Sequence, residues 1–436
     1  MKHLFALLIF LLPVIATAQS RDTITIMTYN TLNYGRPATN SCPALITGNK
    51  HRWLKTIIDY TKPDILGLVK MASDPPKFGR DTVLQKVLNA DCPGCYGASP
   101  YINITGYNRT ATLYYRTDKF GYLGIQSVYT ADDQIEDVNM HRLYYKDPLL
   151  AQTRDTVYLN IILHRLQSNS GGGERDRNTE AAGISSWISG RMNPLKNHII
   201  MGDFNSTGAN EKCISLFTSP ANAALRFNDP ANALGQWAAN PQAYASLLTQ
   251  STRTSDPGDC GSEGGMGDRL DHILLSDTLM YGRNNRINYV PNSFKVIGND
   301  GRHTLMALTD PPSNNSAPAN VISALYNMSN HLPVVLKMSV RGSVLSGTKA
   351  QLSGAGYNMQ SQGYGQLKFS LPASENPESY NLKICGTDGR IVLSGPLHQS
   401  SSGAEFNMEG LQSGIYFCVL SVGGQMKSVF KTIRLY

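Results

Sequence analysis

Residues 197–205, NHIIMGDFN, combine a short apolar run with a Gly-Asp-Phe-Asn ending. Ile, Val, Leu and Tyr favour strands, and turn-forming polar residues after such a run are typical of a strand end. Runs of the same kind occur at residues 23–30, 64–71, 111–116, 156–164, 271–276 and 331–338. The pattern predicts a core rich in strands for residues 22–338.

Two segments between these strands have helical patterns. Residues 51–62 place their apolar side chains on one face, and residues 178–192 open with Asn178 as the expected N-cap. Strands that alternate with helices, together with hairpin-like stretches, predict an α/β domain in which the helices pack outside the sheets.

The composition changes near residue 340. Residues 341–362 are rich in Gly, Ser and Gln and are predicted to form a linker. Short alternating runs separated by turn signals follow over residues 363–436 and predict a small all-β sandwich. The first domain is therefore expected to span residues 19–340.

The N-terminus and the composition bear on where the protein acts. Residues 1–18 contain Lys2, an apolar run and an Ala-Thr-Ala ending, which predicts a signal peptide. No later segment is long and apolar enough to be expected to span a membrane. Only 16% of the 436 residues are charged, which excludes charge-driven disorder and a coiled coil. The net charge of +7 is compatible with an anionic ligand without requiring one.

The seven cysteines are expected to enter an oxidising compartment. Cys92 and Cys95 have the spacing of a redox or zinc pair, but no second such pair exists, so a structural disulfide is favoured. Cys385 and Cys418 lie in strand-like runs and are candidates to pair with each other. An odd number of cysteines leaves at least one free or bonded elsewhere.

Five polar motifs lie at the ends of the predicted strands. They are Thr28-Tyr29-Asn30, His164, Gly202-Asp203-Phe204-Asn205, Asp271 and Ser329-Asn330-His331. Each motif alone is a weak signal, but their order and spacing resemble the endonuclease/exonuclease/phosphatase superfamily, the DNase I-like fold. The resemblance covers residues 22–338 and implies two sheets packed face to face with helices outside, and a site for phosphodiester or phosphomonoester hydrolysis at one rim.

The resemblance also implies roles for individual residues. The implied catalytic residues are His164, which binds the phosphate, Asp203 and Asn205, which position the water, and Asp271, which orients His331. The implied metal, Mg²⁺ or Mn²⁺, is held from Asn30 and Asp203. A divalent cation of this kind neutralises the charge that grows on the phosphate in the transition state.

Two positions depart from the family pattern, and both concern the metal. The Glu expected at the end of the second strand is Lys70, and the Asp expected in the last motif is Asn330. A protonated Lys cannot coordinate a cation. Asp74 lies beyond the strand end and Glu136 lies far along the chain, so neither is expected to replace the lost carboxylate. Lys70 is instead a candidate to occupy the place of the cation and attract phosphate, or else to point into solvent.

Two functions remain open from these observations. One is a phosphoesterase of reduced or lost activity, with nucleic acid among its candidate substrates. The other is a pseudoenzyme that binds a phosphorylated ligand or a protein partner without hydrolysing it.

The chain end resembles another known module. Residues 410–436, GLQSGIYFCVLSVGGQMKSVFKTIRLY, contain a Leu-x-x-Gly-Ile-Tyr strand, a turn and a final Lys-containing strand. They resemble the sorting domain of the type IX secretion system of Bacteroidetes, matched over residues 363–436. The resemblance implies contact with that secretion machinery and a location outside the cell, secreted or on the outer surface.

Overall fold

The structure, a computed structural model, describes residues 21–45, 47–73, 78–104, 106–128, 136–168, 173–282, 285–343, 357–362, 366–371, 376–400 and 403–434. The chain divides into two compact units, Met1–Ser343 and Val344–Tyr436. The predicted signal peptide, Asp74 and most of the predicted linker lie outside the described residues.

The N-terminal unit alternates strands with helices. Its strands are β1 (Arg21–Tyr34), β2 (Ile65–Ala72), β3 (Tyr96–Ala98), β4 (Arg109–Arg116), β5 (Phe120–Ser127), β6 (Asn139–Tyr145), β7 (Tyr158–Arg165), β8 (His198–Asp203), β9 (Phe227–Asn228), β10 (Asp271–Ser276), β11 (Ile287–Tyr289), β12 (Lys295–Val296) and β13 (Val334–Arg341). Its helices are α1 (Thr47–Thr61), α2 (Phe78–Val83), α3 (Leu150–Thr153), α4 (Glu174–Arg191), α5 (Lys212–Thr218), α6 (Asp277–Met280) and α7 (Ala319–Met328). One π-helical turn, Leu84–Leu88, follows α2, and 3₁₀ turns span Ala223–Leu225 and Pro241–Leu247.

The strands form two sheets. The first has the order β11-β13-β1-β2-β4-β3, with β12 also paired to β13, and the second has the order β5-β6-β7-β8-β10-β9. The pairs β1–β2 and β7–β8 are parallel, and the other pairs are antiparallel. Gly67 of β2 faces the second sheet, where a Cβ atom would lie 2.7 Å from Leu163 and Met201. The predicted two-sheet α/β arrangement with helices outside is confirmed.

Helix α4 begins earlier than the sequence pattern indicates. It starts at Glu174, so Asn178 lies inside the helix and its Oδ1 accepts a hydrogen bond from the backbone N–H of Cys213 at 2.9 Å. The expectation that Asn178 is the N-cap is therefore wrong. Ile184 and Ile188 of α4 pack with Ile200 of β8 in a second apolar cluster, which fixes the helix on the outer side of the second sheet.

The C-terminal unit is all-β. Its strands are β14 (Asn358–Gln362), β15 (Gln366–Ser370), β16 (Tyr380–Cys385), β17 (Ile391–Pro396), β18 (His398–Ser400), β19 (Gly403–Asn407), β20 (Gly414–Val422) and β21 (Gln425–Arg434), with a 3₁₀ turn at Pro377–Ser379. They form the antiparallel sheets β14-β15-β19-β18 and β17-β16-β20-β21 around a shared apolar cluster. The predicted all-β domain is confirmed, while the end of the predicted linker is strand β14.

The described residues contain two disulfides, of which the sequence spacing indicated one. Cys42 is bonded to Cys260, and Cys92 to Cys95. Cys385 and Cys418 are free. Cys385 lies opposite Phe417, the residue before Cys418, so the side chains of Cys385 and Cys418 point to opposite faces of the sheet. The candidate pair Cys385–Cys418 is therefore wrong.

Gly202 is a position where the fold requires glycine. Its φ is 141°, and a Cβ atom would lie 1.8 Å from the backbone oxygen of His164 in the neighbouring strand. We expect Gly202→Ala to lower the free energy of unfolding by about 2 kcal/mol or more, since the clash is with backbone rather than with a movable side chain. Urea unfolding measures the effect.

The matched control is Gly190→Ala in α4, where the added Cβ meets nothing within 4 Å. We expect this variant to be as stable as the wild type or more stable, because alanine favours helix over glycine by about 1 kcal/mol. Equal stability of Gly202→Ala and the wild type would contradict the assigned backbone geometry.

Candidate functional site

Parallel pairing gathers polar side chains at one rim of the two sheets. The parallel pairs are β1–β2 in the first sheet and β7–β8 in the second. In each pair the carboxyl ends of both strands lie at the same end of the sheet, and in the second sheet antiparallel β10 begins there. At or near these strand ends lie Asn30, Lys70, Arg165, Asp203 and Asp271. This rim is the candidate site.

Four of the predicted residues form one continuous buried network. The Nδ2 of Asn30 donates to Oδ2 of Asp203 at 2.8 Å and lies 3.3 Å from Nε2 of His331. The Nδ1 of His331 lies 2.8 Å from Oδ2 of Asp271. Each of these four residues is 1% exposed. The structure therefore brings Asn30, Asp203, Asp271 and His331 together as the sequence motifs predict.

The Asp271–His331 pair determines how the imidazole can act. A carboxylate beside Nδ1 places the proton on that nitrogen, which leaves Nε2 as a hydrogen-bond acceptor. Gln250, which sequence reasoning missed, lies with its Nε2 2.7 Å from Nε2 of His331. Burial raises the pKa of Asp271, and the neighbouring His331 opposes that rise. Nε2 of His331 thus lies between two side-chain amides, from which it can accept a hydrogen bond.

Asn205 and Asn330 lie beside this network with different surroundings. The backbone N–H of Asn205 donates to Oδ1 of Asp203 at 3.0 Å, and its Nδ2 donates to the Leu166 oxygen at 2.8 Å. Asn205 therefore positions Asp203. The Oδ1 of Asn330 is buried and has no hydrogen-bond partner among the described residues.

Lys70 presents an unpaired cation. It adopts a left-handed conformation with φ 57°, at a point where the register of β2 with β4 shifts. Its side chain is partly exposed, and within the described part of the chain no carboxylate lies within 4.0 Å of its ammonium. Desolvation lowers the pKa of Lys70 to about 7, helped by Arg165 and opposed by Asp203 and Glu136.

Glu136 approaches the site from the segment before β6. Its Oε2 accepts the backbone N–H of Lys70 at 3.1 Å, and its Oε1 lies 3.5 Å from Nη1 of Arg165. Burial raises the pKa of Glu136 to about 7. Its distance along the chain was a poor guide, because Glu136, just before β6, lies beside the end of β2. Glu136 contacts the Lys70 backbone and Arg165 and does not belong to the group of potential metal ligands found among the described residues.

Arg165, rather than His164, faces the network. Successive side chains of a strand point to opposite faces, and Arg165 is in register with Asp203 while His164 is in register with Gly202. The Nε of Arg165 lies 3.7 Å from Oδ2 of Asp203. The His164 ring instead packs against Phe204 with ring centres 4.3 Å apart, and burial lowers its pKa to about 3. Strand alternation in the sequence indicates that His164 and Arg165 point to opposite faces, but only the register with β8 shows which of them faces Asp203.

The implied divalent cation does not fit the residues at its position. Lys70 supplies a positive charge where a carboxylate is needed, and the oxygen of Asn30 accepts the Leu32 N–H at 3.0 Å. Asp203, Asp271 and His331 do form a group of potential ligands, with one atom of each within 4.8 Å of the others. Oδ1 of Asp271 is buried and has no hydrogen-bond partner among the described residues, whereas Asp203 is engaged with Asn30 and Asn205, and His331 with Asp271. The positive charges of Lys70 and Arg165 oppose an added cation.

A comparison with known families concerns the C-terminal end. Residues 363–434 match the model of the secretion system C-terminal sorting domain. This part of the chain is similar to a sorting domain. The prediction of such a domain is confirmed, and the sorting domain implies export, with the protein secreted or at the cell surface. In the described residues, no helix has the length and apolarity needed to cross a membrane.

Comparisons with solved structures concern the N-terminal part. The human Nocturnin catalytic domain with bound sulfate anion is 15% identical, with a TM-score of 0.44, covering 74% of this chain and 96% of that chain. An endonuclease/exonuclease/phosphatase family protein from Bacteroides thetaiotaomicron is 16% identical, with a TM-score of 0.42 and coverages of 74% and 97%. D. rerio TDP2 complexed with single strand DNA product is 13% identical, with a TM-score of 0.44 and coverages of 72% and 98%. A search of the curated proteins finds no match.

Proposed function

We propose that the protein is an exported member of the endonuclease/exonuclease/phosphatase superfamily that binds the phosphate group of its ligand without a divalent metal ion. The observation that carries the proposal is the ammonium of Lys70, which has no carboxylate within 4.0 Å among the described residues and feels the charge of Arg165, at the position where the resemblance implies a metal ligand. With respect to metal-dependent hydrolysis, the protein is then a pseudoenzyme.

The charges around Lys70 favour an anion. Two unit charges 4 Å apart near a protein surface interact by about 4 kcal/mol, before screening by salt. Asp203 is a negative neighbour, but Asn30 donates to it and Arg165 lies beside it. The raised pKa of Glu136 leaves that carboxyl partly protonated at neutral pH. The amino group of Lys70 is partly exposed and, with a pKa lowered to about 7, partly protonated at neutral pH, so its ammonium form is available to an incoming phosphate.

A second candidate function is slow hydrolysis without a metal, favoured by the intact Asp271–His331 pair. In this function Nε2 of His331 would accept a proton from a water, and Asp271 would stabilise the imidazolium that forms. Lys70 and Arg165 are then the groups that stabilise charge on the phosphate. Turnover that persists in a chelator and disappears in His331→Gln would establish this function.

Binding of a phosphodiester tests the main proposal. Bis(4-nitrophenyl) phosphate is titrated calorimetrically into the mature protein in the presence of EDTA. We expect Lys70→Met, which keeps the length of the side chain but removes its charge, to bind at least about tenfold more weakly, a loss of about 1.4 kcal/mol. The control is Lys295→Met, because Lys295 is exposed on β12 and is no part of the site.

Two outcomes would overturn the proposal. One is equal affinity of the wild type and Lys70→Met for the phosphodiester. The other is release of nitrophenolate by the wild type that requires added Mg²⁺ or Mn²⁺ and stops in EDTA, since that result assigns a functional metal to the site.

A further inference from the structure

A groove with a volume of about 960 Å³ lies between the strands β5–β6 and the end of α4. Its lining comes from residues 123–127 of β5, from β6, from the start of β7 and from residues 187–198. None of the candidate-site residues lines it. Asn160, which lines the groove, precedes Arg165 by five residues in β7, a separation of about 17 Å along the strand. The groove is therefore a separate feature of the surface.

The charge of the groove is one-sided. Arg142, Arg191 and Lys196 line it, and within the described part of the chain no Asp or Glu does. Among the residues described, none of these three cations has a carboxylate within 4.0 Å. Burial and the nearby Arg142 lower the pKa of His198 to about 4, so its imidazole is neutral at physiological pH. The carbonyl end of α4 adds some negative potential, which Arg191 in the last turn opposes.

The groove also offers a flat apolar wall. Trp187 is partly exposed, and the guanidinium of Arg191 lies over its ring at 5.2 Å from the centre. Leu123, which is 50% exposed, and Met192 extend this apolar surface. A guanidinium stacked on an indole presents a planar edge that can donate two hydrogen bonds to a phosphate.

We infer that this groove is a second binding site, for a ligand of the nucleoside diphosphate class. Its volume lies in the range of about 300–1,000 Å³ typical of small-molecule sites. Three cations that have no carboxylate partner in the described ranges suit a ligand that carries two or more negative charges. The Trp187 wall suits an aromatic ring next to those charges. The site is independent of the phosphate site at Lys70.

Calorimetric titration of the mature protein tests the assignment, with ADP, tripolyphosphate and adenosine as the probes. The measurements use the Lys70→Met background, so that binding at the candidate site is weakened and the remaining binding reports on the groove. We expect ADP to bind most tightly and adenosine most weakly. The affinity for ADP should fall steeply with added NaCl, as expected for a contact between opposite charges.

Variants locate the site. We expect the triple variant Arg142→Ala, Arg191→Ala and Lys196→Ala to bind ADP at least about tenfold more weakly, and Trp187→Leu to weaken ADP but not tripolyphosphate. All four side chains are at least partly exposed, so these variants are expected to fold, and a melting curve checks this. Arg175→Ala is the control, since Arg175 lies at the other end of α4. Absence of ADP binding, or unchanged binding by the triple variant, would overturn the assignment.

Discussion

The double substitution Lys70→Glu with Asn330→Asp is expected to give the protein a Mg²⁺-dependent phosphodiesterase activity at least about tenfold above that of the wild type. The two changes supply the carboxylates that the superfamily resemblance implies. The first of them also removes the positive charge of Lys70. The Asp271–His331 pair and the Asn30–Asp203 contact are already present in the wild type. The double substitution adds two carboxylates to these contacts.

The new carboxylates are expected to make stability depend on Mg²⁺. They would lie near Asp203, Asp271 and Glu136, so their mutual repulsion lowers the stability of the metal-free variant. A cation that binds only the folded state restores stability by mass action. Arg165, which lies near Asp203, competes with the cation and limits the gain.

Two measurements check this prediction. Hydrolysis of bis(4-nitrophenyl) phosphate is followed with Mg²⁺ and with EDTA, and thermal unfolding is followed under the same conditions. Lys70→Met is the control, because it removes the cation without adding a ligand and should gain neither activity nor stabilisation by Mg²⁺. A folded double variant that neither is stabilised by Mg²⁺ nor gains activity would contradict the assignment of this position as an altered metal site.

Phosphodiester binding by the wild type is expected to weaken by at least about tenfold between pH 6 and pH 9. The ammonium of Lys70, whose pKa is lowered to about 7, is mostly protonated at pH 6 and mostly neutral at pH 9. Glu136, whose pKa is raised to about 7, gains negative charge over the same interval. Both changes act against an anion, so affinity is high below pH 7 and is lost as the pH rises.

The probe and the controls separate the two groups. Bis(4-nitrophenyl) phosphate keeps a single negative charge throughout, so its own titration does not contribute. Lys70→Met should retain only the smaller pH effect that comes from Glu136, and Lys70→Met with Glu136→Gln should bind with little dependence on pH. An affinity of the wild type that is constant or that rises from pH 6 to pH 9 would contradict the assigned role of Lys70.

Sequence patterns predicted the strand bounds closely where the apolar residues form an uninterrupted run. The runs at 64–71, 197–205 and 271–276 became β2, β8 and β10 with changes of at most two residues at either end. Strands β5 and β6 were missed, because Gly121, Gly124 and the polar pair His141-Arg142 interrupt their apolar character. In the second sheet β6 pairs with β7 and β5 pairs with β6, a tertiary effect that no local pattern contains.

In the candidate site, too, some residues follow from local sequence patterns and others only from the tertiary structure. Asn30, Asp203, Asp271 and His331 were predictable because each lies in a motif at a strand end. Glu136 and Gln250 were not predictable, since the segments that carry them have no regular pattern and reach the site only through the return of long connections.

By itself, the sequence determined the α/β core, the all-β C-terminal unit, the sorting domain and the replacement of two expected carboxylates by Lys70 and Asn330. These features follow from side-chain chemistry and from patterns a few residues long. Only the tertiary structure decided that Arg165 rather than His164 faces Asp203, and that Glu136 lies beside Lys70. The physical reason is that side-chain direction depends on strand register, and that the pKa values of Lys70 and Glu136 depend on desolvation and on charges brought together from distant parts of the chain.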